Sequence, residues 1–143
     1  MTRVVAVLVA IAAGAVALPS AAAQWKQLQK AAEGELWIDN ASIKRLNGDV
    51  FFEYRVDYPK PQQEVGSKTM YHSTVTKAMV RCADRSISIG PTQAWSGKSA
   101  TGKVVSTHPP SREEARFQPV EPRSSDESLW HHVCSVAKLT PKK

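Results

Sequence analysis

Two cysteines, Cys82 and Cys134, stand behind an N-terminal stretch with the composition of a cleavable export signal, and this pairing constrains the fold more than any other feature. Met1-Thr2-Arg3 is a short basic start, Val4 to Leu18 an apolar run of about fifteen residues, and Ala21-Ala22-Ala23 a small-residue cleavage signal. The run is shorter than the roughly twenty residues that a spanning helix needs. The expected division is therefore a signal peptide over residues 1–23 and one domain over residues 24–143. In the oxidising space beyond the inner membrane, two cysteines most simply pair with each other. The alternative is a reactive thiol, but there is no C-x-x-C motif and neither cysteine has a neighbouring arrangement that would lower its pKa. A bond between them closes a loop of about fifty residues, for which the chain-entropy model gives roughly 4 kcal/mol.

About 120 residues remain after processing, enough for a single core. The 19 lysines and arginines exceed the 13 acids, giving a net charge of +6, but they are interleaved with the acids rather than gathered on one segment. That distribution argues against nucleic acid as a partner. It leaves room for a protein partner or an anionic envelope or matrix surface, attracted through screened long-range forces. After the signal, no apolar run is long enough to cross a bilayer and no cysteine stands at the cleavage site for acylation, so a soluble exported protein, periplasmic or secreted, is expected.

From Gly34 onward the punctuation is that of short strands and turns. Glu35 to Ile38 is a first strand, Asp39 an Asx-turn, and Asn47-Gly48 a two-residue hairpin turn. In the next strand Val50, Phe52, Tyr54, Val56 and Tyr58 share one face, while Glu53, Arg55 and Asp57 share the other, expected to be wet. Pro59 and Pro61 are expected to end that strand, with Lys60 to Ser67 a polar loop or hairpin tip. Lys68 to Asp84 reads as extended, with a bulge near Thr76-Lys77 bringing Tyr71, Ser73 and Val75 to the same side as Ala78, Val80 and Cys82. Arg85 to Gly90 is a strand that Pro91 permits to continue only as an edge toward Trp95; Ser96 to Gly102 is a flexible turn and Lys103 to Thr107 a last strand. Ser124 and Glu127 form a capping box for a helix from about Ser125 to Ala137, with Leu129, Trp130, Val133, Cys134 and Ala137 on one apolar stripe. The class is α+β: an antiparallel sheet with a C-terminal helix on one face.

The order Trp37-Ile38-Asp39 with Ser42-Ile43, Phe52 to Tyr58, Tyr71-His72-Ser73 leading to Arg81-Cys82 and Arg85, Gly102 to Val105, and Leu129-Trp130 with Val133-Cys134 resembles the surface-adhesin protein E-like domain of Gram-negative bacteria. The resemblance spans about Trp25 to Cys134. It implies about six antiparallel strands, a helix tethered to the sheet through the Cys82 and Cys134 positions, and binding of host matrix or cell-surface proteins. The chain departs from the name-giving lipoprotein in lacking a lipidation cysteine, and no ligand-binding residue carries over.

Other chemistry is poorly supported. Adjacent His131 and His132 point about 100° apart on a helix and do not share an ion without outside help, so no metal is expected, even with His72 and His108 available. No nucleophile elbow, H-E-x-x-H or glycine-rich phosphate loop occurs, and Glu113-Glu114 lies in a loop. The expectation is a protein that is not an enzyme and has no cofactor. Of the tryptophans, Trp130 belongs to the core, while Trp95 reads either as core or as an exposed contact beside Lys98 and Lys103. The segments Lys60 to Lys68 and Ser96 to Lys103 are the candidate contact surfaces. A second reading is a periplasmic small-ligand or envelope-stress accessory domain that uses the cleft between helix and sheet.

Overall fold

The computed structural model describes residues 22–138. The export signal expected over residues 1–23 lies outside these residues except for its last two positions. The strands are β1 (Trp25–Ala31), β2 (Gly34–Asp39), β3 (Lys44–Leu46), β4 (Asp49–Gln63), β5 (Met70–Arg81), β6 (Ser86–Trp95), β7 (Val104–His108) and β8 (Gln118–Pro119), followed by helix α1 (Ser125–Val136). All pair antiparallel in one sheet of order β1-β2-β4-β5-β6-β7, with β3 added to β4 and β8 to β6.

Local chemistry accounts for the turns. Asp39 Oδ1 accepts the Ala41 amide at 2.9 Å, completing the Asx-turn. Leu46 and Asp49 are register partners, so Asn47-Gly48 is a two-residue hairpin loop in which Asn47 takes φ 55°. At the helix start Ser124 Oγ accepts the Glu127 amide at 3.1 Å, and the Glu127 carboxylate accepts the Arg123 amide at 2.7 Å, a reciprocal cap.

The core lies between α1 and one face of the sheet. Leu36, Ile38, Val50, Phe52, Val80 and Ile87 meet Leu129, Trp130 and Val133 of the helix. Each such buried side chain contributes roughly 1.5–3 kcal/mol relative to exposure. The Trp130 indole N–H donates to the Arg81 carbonyl at 3.2 Å. Cys82, just beyond β5, and Cys134 on α1 are joined in a disulfide, with Cα atoms 5.7 Å apart. The bond ties the helix to the centre of the sheet.

Several expectations need correction. Gln24 donates its amide to Asp39, and the segment after it forms an edge strand, β1, where none was expected. Strand β4 does not end at Pro59: Asp57 pairs with Ser73 and Gln62 with Tyr71, so Tyr58–Pro61 bulge opposite His72 alone. The two prolines sit where the ladder is already broken and no N–H is required. The expected bulge in β5 near Thr76-Lys77 is instead carried by β6, where Gly90 and Pro91 together oppose Lys77; against β4, β5 runs in unbroken register from Arg81 to Ser73. A Cβ on Gly90 would stand 2.8 Å from the Lys77 carbonyl oxygen, which accounts for the glycine. Beyond Pro91 the strand is not an edge as expected: Thr92 to Trp95 pair with β5 on one side and β7 on the other, and Pro91 falls between the stretches that pair with β8 and with β7, so it too leaves no ladder bond unmade.

Because β5 is unbroken, Ser73 and Ala78 face opposite sides of the sheet, and both are buried. The face away from the helix is therefore wet, as expected, at Glu53 and its neighbour Lys77 but not around Arg55 and Asp57. Arg55 is only 4% exposed and Asp57 7%.

Candidate functional site

On the face away from the helix, the Arg55 guanidinium donates from Nε and Nη2 to Asp57 Oδ2 at 3.2 and 3.0 Å. It lies 4.6 Å from the ring centre of Trp25 on β1 and 5.1 Å from that of Trp37 on β2. Two aromatic faces thus complete the shielding of a charge that the carboxylate balances. The other Asp57 oxygen accepts the Ser99 amide at 2.8 Å, and buried Ser73 Oγ donates to the Gly97 carbonyl and accepts the Ala100 amide. His72 Nδ1 is 2.9 Å from the Ser96 carbonyl oxygen.

These contacts fasten the segment between β6 and β7 to the sheet. The segment includes left-handed residues at Ser99, Ala100 and Gly102, with φ of 59°, 54° and 78°. The expectation of a loose turn over Ser96 to Gly102 is thereby corrected: carbonyl and amide groups that a free loop would show to water are bonded to strand side chains. The three candidate contact residues do not share one environment. Trp95, the register partner of Ser73, is half-buried with its indole N–H enclosed and without a hydrogen bond, whereas Lys98 and Lys103 are exposed. Lys98 and Ser99 border a hollow of about 420 Å³ with Lys30, Glu35 and Trp37. The Glu35 carboxyl is held below its usual range, first by the hydrogen bond from Lys30, which stands 3.1 Å away. Trp37 assists: its enclosed indole N–H makes no hydrogen bond of good geometry, yet it lies near enough to favour the carboxylate.

The helix covers only part of its own face. Beyond it, a hollow of about 600 Å³ is floored by Tyr54, Val56, Tyr58, Thr74, Thr76 and Thr92, with Tyr71, Glu64 and His108 among its walls. A second hollow of about 300 Å³ runs beneath the helix start and shares Tyr54, Val56 and Tyr58. Tyr58 and Tyr71 meet edge to face with ring centres 5.8 Å apart. Burial pushes the Tyr54 phenol up to about 12 and raises that of Tyr71, where neighbouring Tyr58 and Glu64 add to the effect. Burial alone raises the Asp126 carboxyl at the helix start. Glu64, in the tip of the β4–β5 hairpin, accepts the Ser106 hydroxyl of β7 at 2.5 Å and contacts His108. That hairpin tip exposes 98% of Val65. Alternation along β4 puts Tyr54 and Tyr58 on a core face and does not separate the part under the helix from the part left open.

The histidine pair has separate partners: His132 Nε2 is 2.7 Å from Asn40 Oδ1, and His131 lies 4.0 Å from Glu127. Burial, then nearby Lys26, lowers the His132 pKa. Among the described residues no group of three His, Cys, Asp or Glu side chains is placed to hold a metal ion. Glu114 is taken up by its own turn, where its carboxylate accepts the Ser111 amide at 2.8 Å.

A single antiparallel sheet carrying one C-terminal helix, stapled to it by a disulfide, is the α+β arrangement on which these surfaces are mounted. The chain belongs to the surface-adhesin protein E family, whose model matches residues 25–135. The fold is shared with the structure of Haemophilus influenzae protein E, at 18% identity and a TM-score of 0.60 over 84% of this chain and 91% of that one. The crystal structure of protein E from non-typeable Haemophilus influenzae is similar at 18% identity and a TM-score of 0.59, over 84% and 82% of the two chains. Crystal form II of Haemophilus influenzae protein E matches at 15% identity and a TM-score of 0.57, over 80% and 97%. No curated protein sequence matches the chain. Among the described residues no helix is long and apolar enough to cross a membrane.

Proposed function

We propose that this chain is an exported, non-enzymatic interaction domain that contacts host matrix or cell-surface proteins, with the segment from Ser96 to Lys103 as its principal contact. Membership of a family of surface adhesins supports the general role. The observation that carries the choice of surface is the fastening of the turn by Asp57 and Ser73 beneath exposed Lys98 and Lys103. A loop already held in one shape loses less conformational entropy when a partner binds, so its contacts convert more fully into affinity. Trp95 at the foot of the turn supplies apolar area that a small movement of the partner's side chains can reach, and the two lysines favour an acidic or mixed-charge partner.

The test is binding of the purified, disulfide-intact protein to immobilised extracellular matrix proteins, compared with a Lys98→Ala, Lys103→Ala double variant. Weaker binding by the variant, with unchanged thermal unfolding and a salt dependence flatter than that of the parent, is the expected result. Equal binding by both proteins refutes the assignment to this turn. Removal of residues 1–23 on export belongs to the same proposal, and protein recovered from the producing cell's envelope should begin at Gln24.

A further inference from the structure

We propose that the open trough on the helix face is a binding site for a linear alkylammonium of the polyamine type, a chain of methylenes bearing ammonium groups at both ends. The inference goes beyond the contact proposed for the 96–103 turn and concerns the other face of the sheet.

Shape is the first argument. The two hollows, about 600 and 300 Å³, share Tyr54, Val56 and Tyr58 of β4, the larger lying on the β5 side of that row and the smaller on the β2 side. Those residues alternate along one strand, so the row from Tyr54 to Tyr58 is about 13 Å long. A partly open aromatic row of that length suits an extended chain better than a compact ring.

Chemistry is the second. Rings of Tyr54, Tyr58 and Tyr71 border the space, and the edge-to-face pair formed by Tyr58 and Tyr71 offers π surface to a cation as well as an apolar bed for methylenes. Val56 extends that bed between the two tyrosines of β4.

Charge is the third and decides the sign. In a chain of net charge +6, none of the described residues lining either hollow is a lysine or arginine. Carboxylates border both hollows instead: Glu64 by the hairpin tip in the larger, in contact with His108, and Glu33 and Asp126 beside the helix start in the smaller. No cation offsets the burial that raises the Asp126 pKa. The helix dipole does not overturn this balance, because Ser124 Oγ already accepts a first-turn amide and the Glu127 carboxylate caps the chain just before it. An anion entering the smaller hollow would meet carboxylates and no basic partner, and in the larger one the single basic side chain, His108, already lies against Glu64. A ligand with charges at both ends and methylenes between them matches an aromatic row with carboxylates to either side. A lysine side chain on a protein carries its charge at one end only and matches half of the site.

Calorimetric titration of the disulfide-intact protein with spermidine tests the proposal, with magnesium chloride at equal charge and a lysine-rich peptide as separate arms. Expected are saturable one-site binding of spermidine, little competition from magnesium, and roughly tenfold weaker binding on Glu64→Gln and on Tyr58→Ala. Glu64 also bonds Ser106 of the neighbouring strand. Asp126→Asn on the other side of the row is therefore measured alongside, and it too is expected to weaken binding with thermal unfolding preserved. Absence of saturable binding, equal affinity in Glu64→Gln and Asp126→Asn, equal competition by magnesium, or tighter binding of the peptide than of spermidine overturns the proposal. The Lys98→Ala, Lys103→Ala variant is expected to bind spermidine like the parent, so this site and the matrix-contact turn fail or stand independently.

Discussion

Replacing Asp57 with alanine should destabilise the fold severely, although the residue is remote from the helix-side core. The substitution leaves the Arg55 guanidinium 4% exposed between Trp25 and Trp37 with no balancing charge, and it deprives the Ser99 amide of its acceptor. Breaking a buried pair by removing one member costs about 3–5 kcal/mol, because the remaining charge stays desolvated. Against a total stability of about 5–15 kcal/mol for a domain, that is a large fraction. With a urea m-value of about 2 kcal/mol/M, it lowers the unfolding midpoint by about 2 M. The assay is equilibrium urea unfolding of the oxidised protein followed by tryptophan fluorescence, since two of the indoles lie against the guanidinium. The companion variant Arg55→Met, Asp57→Leu removes both charges at similar volume. It should recover most of the loss, because apolar pairs replace buried ion pairs at little net cost. A cost below about 1 kcal/mol for Asp57→Ala, the range of an exposed pair, would refute the claim that this face is sealed.

Removing the disulfide by Cys82→Ser with Cys134→Ser should lower stability by about 4 kcal/mol, the loop-entropy value for a separation of 52 residues, measured by urea unfolding beside the oxidised parent. Tyr54 gives a pH dependence of definite sign. Its phenol holds its proton to about pH 12 in the folded state, while the unfolded side chain ionises near pH 10, so the unfolded state binds fewer protons in that window and stability falls as pH rises through it. The slope is at most about 1.4 kcal/mol per pH unit. Phenolate absorbance should show Tyr54 titrating late, with Tyr71 also raised, and absence of any late-titrating tyrosine would count against the buried placement of Tyr54. Gly90→Ala should destabilise the β5–β6 pairing, because the added methyl meets the Lys77 carbonyl oxygen at 2.8 Å; amide exchange along β6 would report it.

Several elements were legible because their causes are local. Asn47-Gly48 turns the chain in two residues and Asp39 closes its Asx-turn through its own side chain. Ser124 and Glu127 cap the helix. The pairing of Cys82 with Cys134 followed from having two cysteines in an exported chain, and the alternation from Val50 to Tyr58 placed a strand without reference to its neighbours.

What lay beyond the sequence depends on which segments meet. Alternation shows that Arg55 and Asp57 share a face, but their part of it is dry only because Trp25 and Trp37 on neighbouring strands and the 96–103 turn close over it. Pro59, Pro61 and Pro91 are compatible with strand only because tertiary register leaves gaps in the ladder where they fall. The two tyrosines of β4 look like core residues in the sequence, and both stay partly uncovered because a 12-residue helix is too short to reach along a 15-residue strand: it rises about 1.5 Å per residue against about 3.3 Å. The chain's own residues thus determined its turns, its cap and its covalent tie. The assembled sheet alone decided which polar groups are buried and which aromatic rings remain open to a ligand, because burial is a property of neighbours brought together from distant parts of the chain.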